Sequence, residues 1–353
     1  MRHNKLLAKH FDLQRFANAN TQTTLMNGQS PYSNDLSPEM KTFYKTRLID
    51  YAEPNLVHDQ FGDDYPIPKG NGKTIEFRKY DSLAKATTPL TEGVTPDGTN
   101  LNVTAINATV SQYGAYVTIS DMLKLTAIDN NIVQALKLLG SQAGRTLDTI
   151  VRDVLAGGSN VIYAGGRASR SNLTTSDTLK PLYFFQAQAQ LEAMNAPYID
   201  GGYVAIIHPY AAYDLITSSD WVDVHKYAAP ENIFKGEIGK IGNIRFVTST
   251  EAKVWKASAD NCPSYTETVS GETVTKYYGV FSTLVLGANA YAKTNVEGAG
   301  LETIVKQLGS GDDPLNQRAT VGWKATKVAK RLVEQYMVRI ESLSAYSKSV
   351  AAN

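Results

Sequence analysis

The chain has 353 residues and a mass of 38.5 kDa, with 42% hydrophobic and 20% charged residues, a balance that suits a globular protein and not a disordered one. Thirty-five Lys and Arg oppose 34 Asp and Glu, and the formal charge of +1 argues against a nucleic-acid binder working through bulk charge and against an acidic mimic. One cysteine, Cys262, excludes an internal disulfide framework and multi-cysteine metal sites, and no run of 18 apolar residues offers a membrane-spanning helix.

At roughly 150 residues per domain, the length predicts two domains or one with a long insertion. Residues 1–58 read as an extended arm lying on something else, with a disordered tail as the alternative: an aromatic-apolar patch at Phe11, Leu13 and Phe16, then a polar stretch with no room for a core. Leu6-Leu7-Ala8 is too short for a signal peptide, so the expected address is the cytoplasm.

Residues 59–119 read as a long two-stranded hairpin. Residues 73–81 alternate, with Ile75, Phe77 and Lys79 on one face and Glu76, Arg78 and Tyr80 on the other. Residues 101–119 alternate again, and the loop between carries Pro89, Gly93 and the turn Pro96-Asp97-Gly98. An isolated hairpin is marginal in water, so such a projection is expected to grip a neighbour.

Ile132, Leu136, Leu139, Ala143, Leu147, Ile150 and Val154 step by three or four residues, which predicts one helix over 129–156. Asp129 is its expected N-cap, and Gly157-Gly158 its end. A helix of this length, about 40 Å at 1.5 Å per residue, suits a structural spine, with an ordinary long core helix as the alternative. A polar linker is expected at 165–180. The region 181–300 then mixes helices and strands: a helix near Tyr183–Met194, a buried strand at 203–208 with Pro209 opening the next helix, and strands at 243–249 and 277–286. The chain closes on strands at 301–307, 319–326 and 331–341. The expected class is α+β, with 120–180 and 301–353 forming one domain and 181–300 inserted in it.

Catalytic chemistry finds little support. The five histidines form no HxH or HxxxH pair, and His208 reads as a structural residue at a strand end. Gly236, Gly239 and Gly242 have the wrong spacing for a phosphate loop. Neither a metal nor a cofactor is expected, and the chain does not read as an enzyme. The carboxylate pairs Asp63-Asp64 and Asp312-Asp313 sit in loops rich in Gly and Pro. The second pair, with Arg318 nearby, suits a self-complementary contact between symmetry-related copies or an ordinary surface loop. Residues 1–15 and 301–353 each carry a local +3, so any nucleic-acid contact would be diffuse and salt-sensitive.

Several of these segments carry a resemblance. Gly72–Tyr80 and Pro89–Gly98 look like the extended loop of tailed-bacteriophage major capsid proteins, and Val117–Asp121 through Leu147–Gly157 resembles that family's spine helix. Asp313–Lys324 is similar to its closing segment, and His10–Ala17 to the opening of many members from phages of Gram-positive hosts. The resemblance implies the Hong Kong 97-type capsid fold, with arm, extended loop, peripheral domain and axial domain (181–300). It implies assembly through hexamers and pentamers into an icosahedral head, in the host cytoplasm and then the virion. The implied partners are copies of the chain, a separate scaffolding protein, a portal, a decoration protein and packaged double-stranded DNA, with no membrane. About 50 residues precede the hairpin, too few for the fused scaffolding domain of the family's type member. Arg78 and Lys79 are the expected hairpin cations, pairing with acids of a neighbour's spine such as Asp148 or Asp153. Asp312, Asp313 and Arg318 complete the expected interface. An encapsulin-like compartment shares the implied fold, and a soluble hydrolase using the loop acids is the catalytic alternative.

Overall fold

The computed structural model describes residues 57–80, 82–95, 97–126, 131–218, 240–269, 272–309, 313–348 and 350–353. The first 56 residues of the expected arm, the expected N-cap Asp129 and Asp312 therefore lie outside the described residues. In chain order the elements are β1 (Asp63–Asp64), β2 (Thr74–Tyr80), β3 (Val103–Thr109), β4 (Ser111–Ser120), α1 (Asp121–Thr126), α2 (Asn131–Ala156) and β5 (Val161–Tyr163). Then come α3 (Pro181–Ala193), β6 (Tyr203–Ile207), α4 (Pro209–Thr217), β7 (Lys240–Ile241), β8 (Ile244–Thr248), β9 (Val254–Trp255), β10 (Ser264–Val269) and β11 (Glu272–Tyr277). The last five are β12 (Val280–Leu286), β13 (Tyr291–Thr294), β14 (Glu302–Lys306), β15 (Arg318–Arg331) and β16 (Met337–Ser342).

Two compact units result. In the smaller, the described residues fall within 117–136 and 305–321; here the backbone N–H of Asp121 donates to Gln317 O at 3.1 Å, fastening the start of α1 to the residue before β15.

The larger unit holds the rest and is built on a seven-stranded sheet of order β5-β16-β12-β6-β8-β7, with β9 also on β12. β6 (Tyr-Val-Ala-Ile-Ile) is buried on both faces, as a continuous apolar run predicts for a central strand. It runs parallel to β8 and antiparallel to β12. Pro209 opens α4 at its first turn, and His208 caps it, Nδ1 accepting from Tyr210 N–H at 3.2 Å. The main core lies between this sheet and α3 and α4, where Phe184 meets Phe246 edge to face at 4.8 Å. Each such fully buried large side chain contributes about 1.5–3 kcal/mol. A second core lies under the C-terminal half of α2, where Val151 and Leu155 pack with Val57, Ile206, Leu286, Tyr291 and Met337.

Several expectations change on contact with the structure. The run 101–119 is two strands, not one: Val110 N–H closes the hairpin on Lys73 O at 2.8 Å, and the chain then leaves β2 for β15. The closing strand begins at Met337, because Leu332 and Val333 turn inward to donate to Ala290 O and a 3-10 turn at 334–336 intervenes. The polar segment 165–180 is folded rather than a free linker, since the Asp177 carboxylate gathers Thr174 N–H and Arg167 Nε–H, each at 2.8 Å. The hairpin β10–β11 was not anticipated, because polar residues on both faces hide its period. The seven-stranded sheet also takes β5 and β16 from outside the 181–300 insertion.

The five-stranded sheet (β1-β13-β15-β14, with β4 on β15) contains two close approaches. A Cβ on Gly114 would lie 2.7 Å from the Trp323 carbonyl oxygen, and one on Gly322 would lie 2.9 Å from Tyr116 Cβ. Gly114→Ala is therefore expected to cost about 1–3 kcal/mol, and Gly114→Ala with Gly322→Ala to deviate from additivity because the two sites share neighbours. Denaturant titrations of the single and double variants measure both quantities.

Candidate assembly interface

The hairpin projects its chemistry outward. β2 and β3 pair along seven residues from Thr74↔Thr109 to Tyr80↔Val103, and among the described residues neither strand has a partner on its outer edge. Exposure alternates along β2, with Ile75, Phe77 and Lys79 half-buried and Glu76, Arg78 and Tyr80 exposed, as the alternation predicts. At its base Tyr65 meets the Phe77 ring at 5.6 Å. Between the strands every described residue of 82–102 is exposed, including Leu83, Leu90 (77% exposed), Val94 and Leu101. Apolar side chains on a projection with open edges form a surface that association would bury.

The cations placed on this hairpin behave differently. Arg78 donates through Nε to Glu76 on the same face at 2.9 Å, an exposed contact that solvent screens and that adds little to stability. Lys79 lies on the opposite face.

The two spine acids also part company. Asp153 is half exposed and binds Arg152 at 2.9 Å and Lys253 at 3.4 Å. Asp148 does not face outward: it is 1% exposed and accepts from His58 N–H at 2.8 Å, with His58 Nδ1 at 2.7 Å from its second oxygen. The apolar stripe at Leu147, Ile150 and Val154 is only half-buried, and the helix instead turns Asp148, Val151, Arg152 and Leu155 inward. Periodicity misses this because buried charges with internal partners are invisible to an apolar count. Arg152 finds those partners in Asp153 and the Glu251 carbonyl at 3.0 Å.

In the loop before β15, Asp313 accepts from Arg318 N–H at 2.7 Å, and these backbone donors hold its carboxyl below the usual carboxylate range. Asp313 thus shapes its own turn. Asp63 and Asp64 lie in β1, paired in parallel with β13, rather than in a free loop. A polar cavity of about 110 Å³ opens beside them, lined by Asp59, Asp64, Lys293, Asn295 and Lys327 among others, with Lys327 and Lys293 both turned to Asp59. Among the described residues no group of three His, Cys, Asp or Glu is arranged to hold a metal ion. Cys262 is buried, and burial pushes its thiol up, away from a nucleophilic thiolate.

The end of α2 carries a network that sequence reading overlooked. Arg339 donates to the carbonyls of Ala156 and Gly158, and Arg331 to Val154 O at 3.2 Å, so two cations close the negative end of the helix. Glu341, fully buried, binds Arg339 at 2.8 Å and takes a two-pronged contact from Arg170 at 2.7 and 2.8 Å. Arg170 in turn lies 3.8 Å over the Trp255 ring. The available signal was Met337-Val-Arg-Ile-Glu-Ser342, a β-prone run carrying charges on one face.

A hairpin with open edges, a helix of 26 residues ended by arginines and a mixed sheet form the Hong Kong 97-type capsid fold. The family model described as phage capsid protein matches residues 66–330, and the chain belongs to that family. The chain is similar to the capsid of cyanophage Pam1 (12% identity, TM-score 0.65, covering 90% of this chain and all of that one). It is also similar to the capsid of Ralstonia phage GP4 (15%, 0.62, 93% and 100%). The SrpI encapsulin of Synechococcus elongatus PCC 7942 is a weaker match (7%, 0.51, 88% and 95%). At these identities the likeness is one of fold. No curated protein matches the chain by sequence.

Proposed function

We propose that this chain is the major capsid protein of a tailed phage, assembling through hexamers and pentamers into the icosahedral head around double-stranded DNA. The observation that carries the reading is the family match across 66–330, within which lies a hairpin whose edges have no strand partner among the described residues and whose apolar loop is exposed. The stronger likeness to phage heads than to the encapsulin favours a genome container over an enzyme compartment.

In this reading 59–119 is the extended loop, α2 the spine of the peripheral domain and 181–300 the axial domain that meets its copies at capsomer centres. Work is done by association, not by catalysis: the hairpin lies across the adjacent subunit, burying edge and side chains that one copy leaves exposed. Its open edges favour strand addition, and Arg78 and Lys79 seek acids such as Asp153 of the neighbour, each pair adding little because solvent screens it. Shell stability then comes from many weak contacts multiplied by symmetry. Arg318, at the end of the turn that Asp313 shapes, supplies a cation for contacts between copies. A scaffolding protein, a portal, a decoration protein and non-specifically held DNA complete the set of partners.

Arg78→Glu with Lys79→Glu is expected to lower shell yield and to make assembly more salt-dependent, read by sedimentation at two ionic strengths. Normal assembly of that variant removes these two residues from the interface.

A further inference from the structure

The β2–β3 hairpin is joined to the five-stranded sheet through a short link. On the sheet side Ile67 is anchored just beyond β13, its N–H donating to Asn295 O at 2.8 Å and its carbonyl accepting from Glu297 N–H at 2.9 Å. On the hairpin side Lys73 O accepts from Val110 N–H at 2.8 Å, and the ladder begins at Thr74↔Thr109. Between them runs Pro68-Lys69-Gly70-Asn71-Gly72, exposed throughout. Asn71 N–H closes a turn on Pro68 O at 3.2 Å, and Gly70 and Gly72 both lie in the left-handed region, at φ 92° and 82°. Among the described residues Asn71 is the one asparagine followed by glycine. Neither its side-chain amide nor the Gly72 N–H has a hydrogen-bond partner among those residues.

We propose that Asn71-Gly72 is a self-modifying site, at which the asparagine amide is lost through a cyclic imide and the link between sheet and hairpin becomes aspartyl or isoaspartyl.

In the first step the Gly72 backbone nitrogen bonds to Asn71 Cγ and the Cγ–Nδ2 bond breaks. Nδ2 leaves as ammonia, carrying the proton that the Gly72 nitrogen gives up. Water from solvent then adds to either ring carbonyl. Opening at Cγ gives aspartate; opening at the backbone carbonyl gives isoaspartate, in which the main chain runs through Cβ and Cγ and is longer by a carbon. Three features favour attack. The Gly72 N–H breaks no hydrogen bond to react. Gly72 has no Cβ, and nothing lies within 4 Å of where one would sit, so the approach is uncrowded. Lys69 and Lys73 flank the pair with no acid between them, and nearby cations favour the deprotonated nitrogen that attacks. Asn160 shows the opposite arrangement: its Nδ2 donates to Met337 O at 3.0 Å, its Oδ1 accepts from Gln190 at 2.7 Å, and a valine follows. The product at residue 71 places a carboxylate and extra backbone length between the Ile67 anchor and the ladder, at the point where the hairpin departs from the sheet.

The proposal goes beyond the capsid reading and is tested on the unassembled full-length chain, so a failure to form shells bears on that reading alone. The purified chain is incubated at neutral and at mildly alkaline pH, and peptides containing residue 71 are followed by mass spectrometry with isoaspartate scored separately. Conversion of amide to acid at Asn71 is expected to run about tenfold or more faster than at Asn160, because glycine presents its nitrogen without a Cβ. It is expected to accelerate as the pH rises and to give more isoaspartate than aspartate. Gly72→Asn keeps a residue that tolerates the left-handed backbone but adds a Cβ beside the attacking nitrogen, and is expected to slow conversion at Asn71 by about tenfold. Conversion at Asn71 no faster than at Asn160 overturns the proposal. So does a product free of isoaspartate, or a Gly72→Asn chain that converts at the wild-type rate, since either result means that no imide forms.

Discussion

Glu341→Ala is expected to lower the stability of the unassembled chain by about 3–5 kcal/mol, a large share of the roughly 5–15 kcal/mol that folded domains have. Glu341 is fully buried between Arg170 and Arg339. Removing it leaves two cations with side chains only 15% and 8% exposed facing each other without an anion. Burial already holds the Arg339 guanidinium below its ordinary range. The damage reaches the spine, because Arg339 also closes the last turn of α2 through Ala156 and Gly158. Glu341→Gln keeps the volume but not the charge and is expected to be nearly as harmful. Urea titrations at unchanged slope measure the loss, and a shift below about 1 kcal/mol would contradict the assigned role.

The second large effect is one of pH. His208 is 8% exposed against Tyr210 and Phe281, and desolvation pushes its pKa down from 6.5 to about 4. The unfolded chain takes up this proton near pH 6.5 while the folded chain resists until about pH 4. Stability from this site is therefore complete above pH 6.5 and lost as the pH falls through that window, by up to about 3 kcal/mol. His208→Asn retains an N-cap oxygen for Tyr210 N–H but cannot titrate. Asp177, held below the usual carboxylate range by Arg167 and Thr174, also loses stability on acidification and does so in both proteins. The difference between wild type and His208→Asn at pH 7 and pH 4.5 isolates the histidine. Equal pH dependence would show that His208 is not the buried neutral base described.

What could be read from sequence followed from periodicity. The alternation of Ile75, Phe77 and Lys79, the three-four spacing of the spine and the run Tyr203–Ile207 before Pro209 each state a local rule, and each forms the expected element. Features that rest on distant partners could not be read in this way. Asp148 looks like a solvated spine acid until His58, 90 residues away, is brought to it. Glu341 and Arg170 are 171 residues apart, and neither local pattern announces the other. The split at Val110 and the late start of β16 are likewise set by which strand the backbone finds, not by side-chain alternation. The resemblance to capsid proteins supplied the assembly reading that the absence of catalytic motifs could only leave open.

Sedimentation of the purified chain with negative-stain microscopy, with and without a candidate scaffolding protein, tests the central claim most directly. The account predicts closed icosahedral shells, or free hexamers and pentamers that convert to shells. A chain that stays a stable monomer under every condition would contradict it.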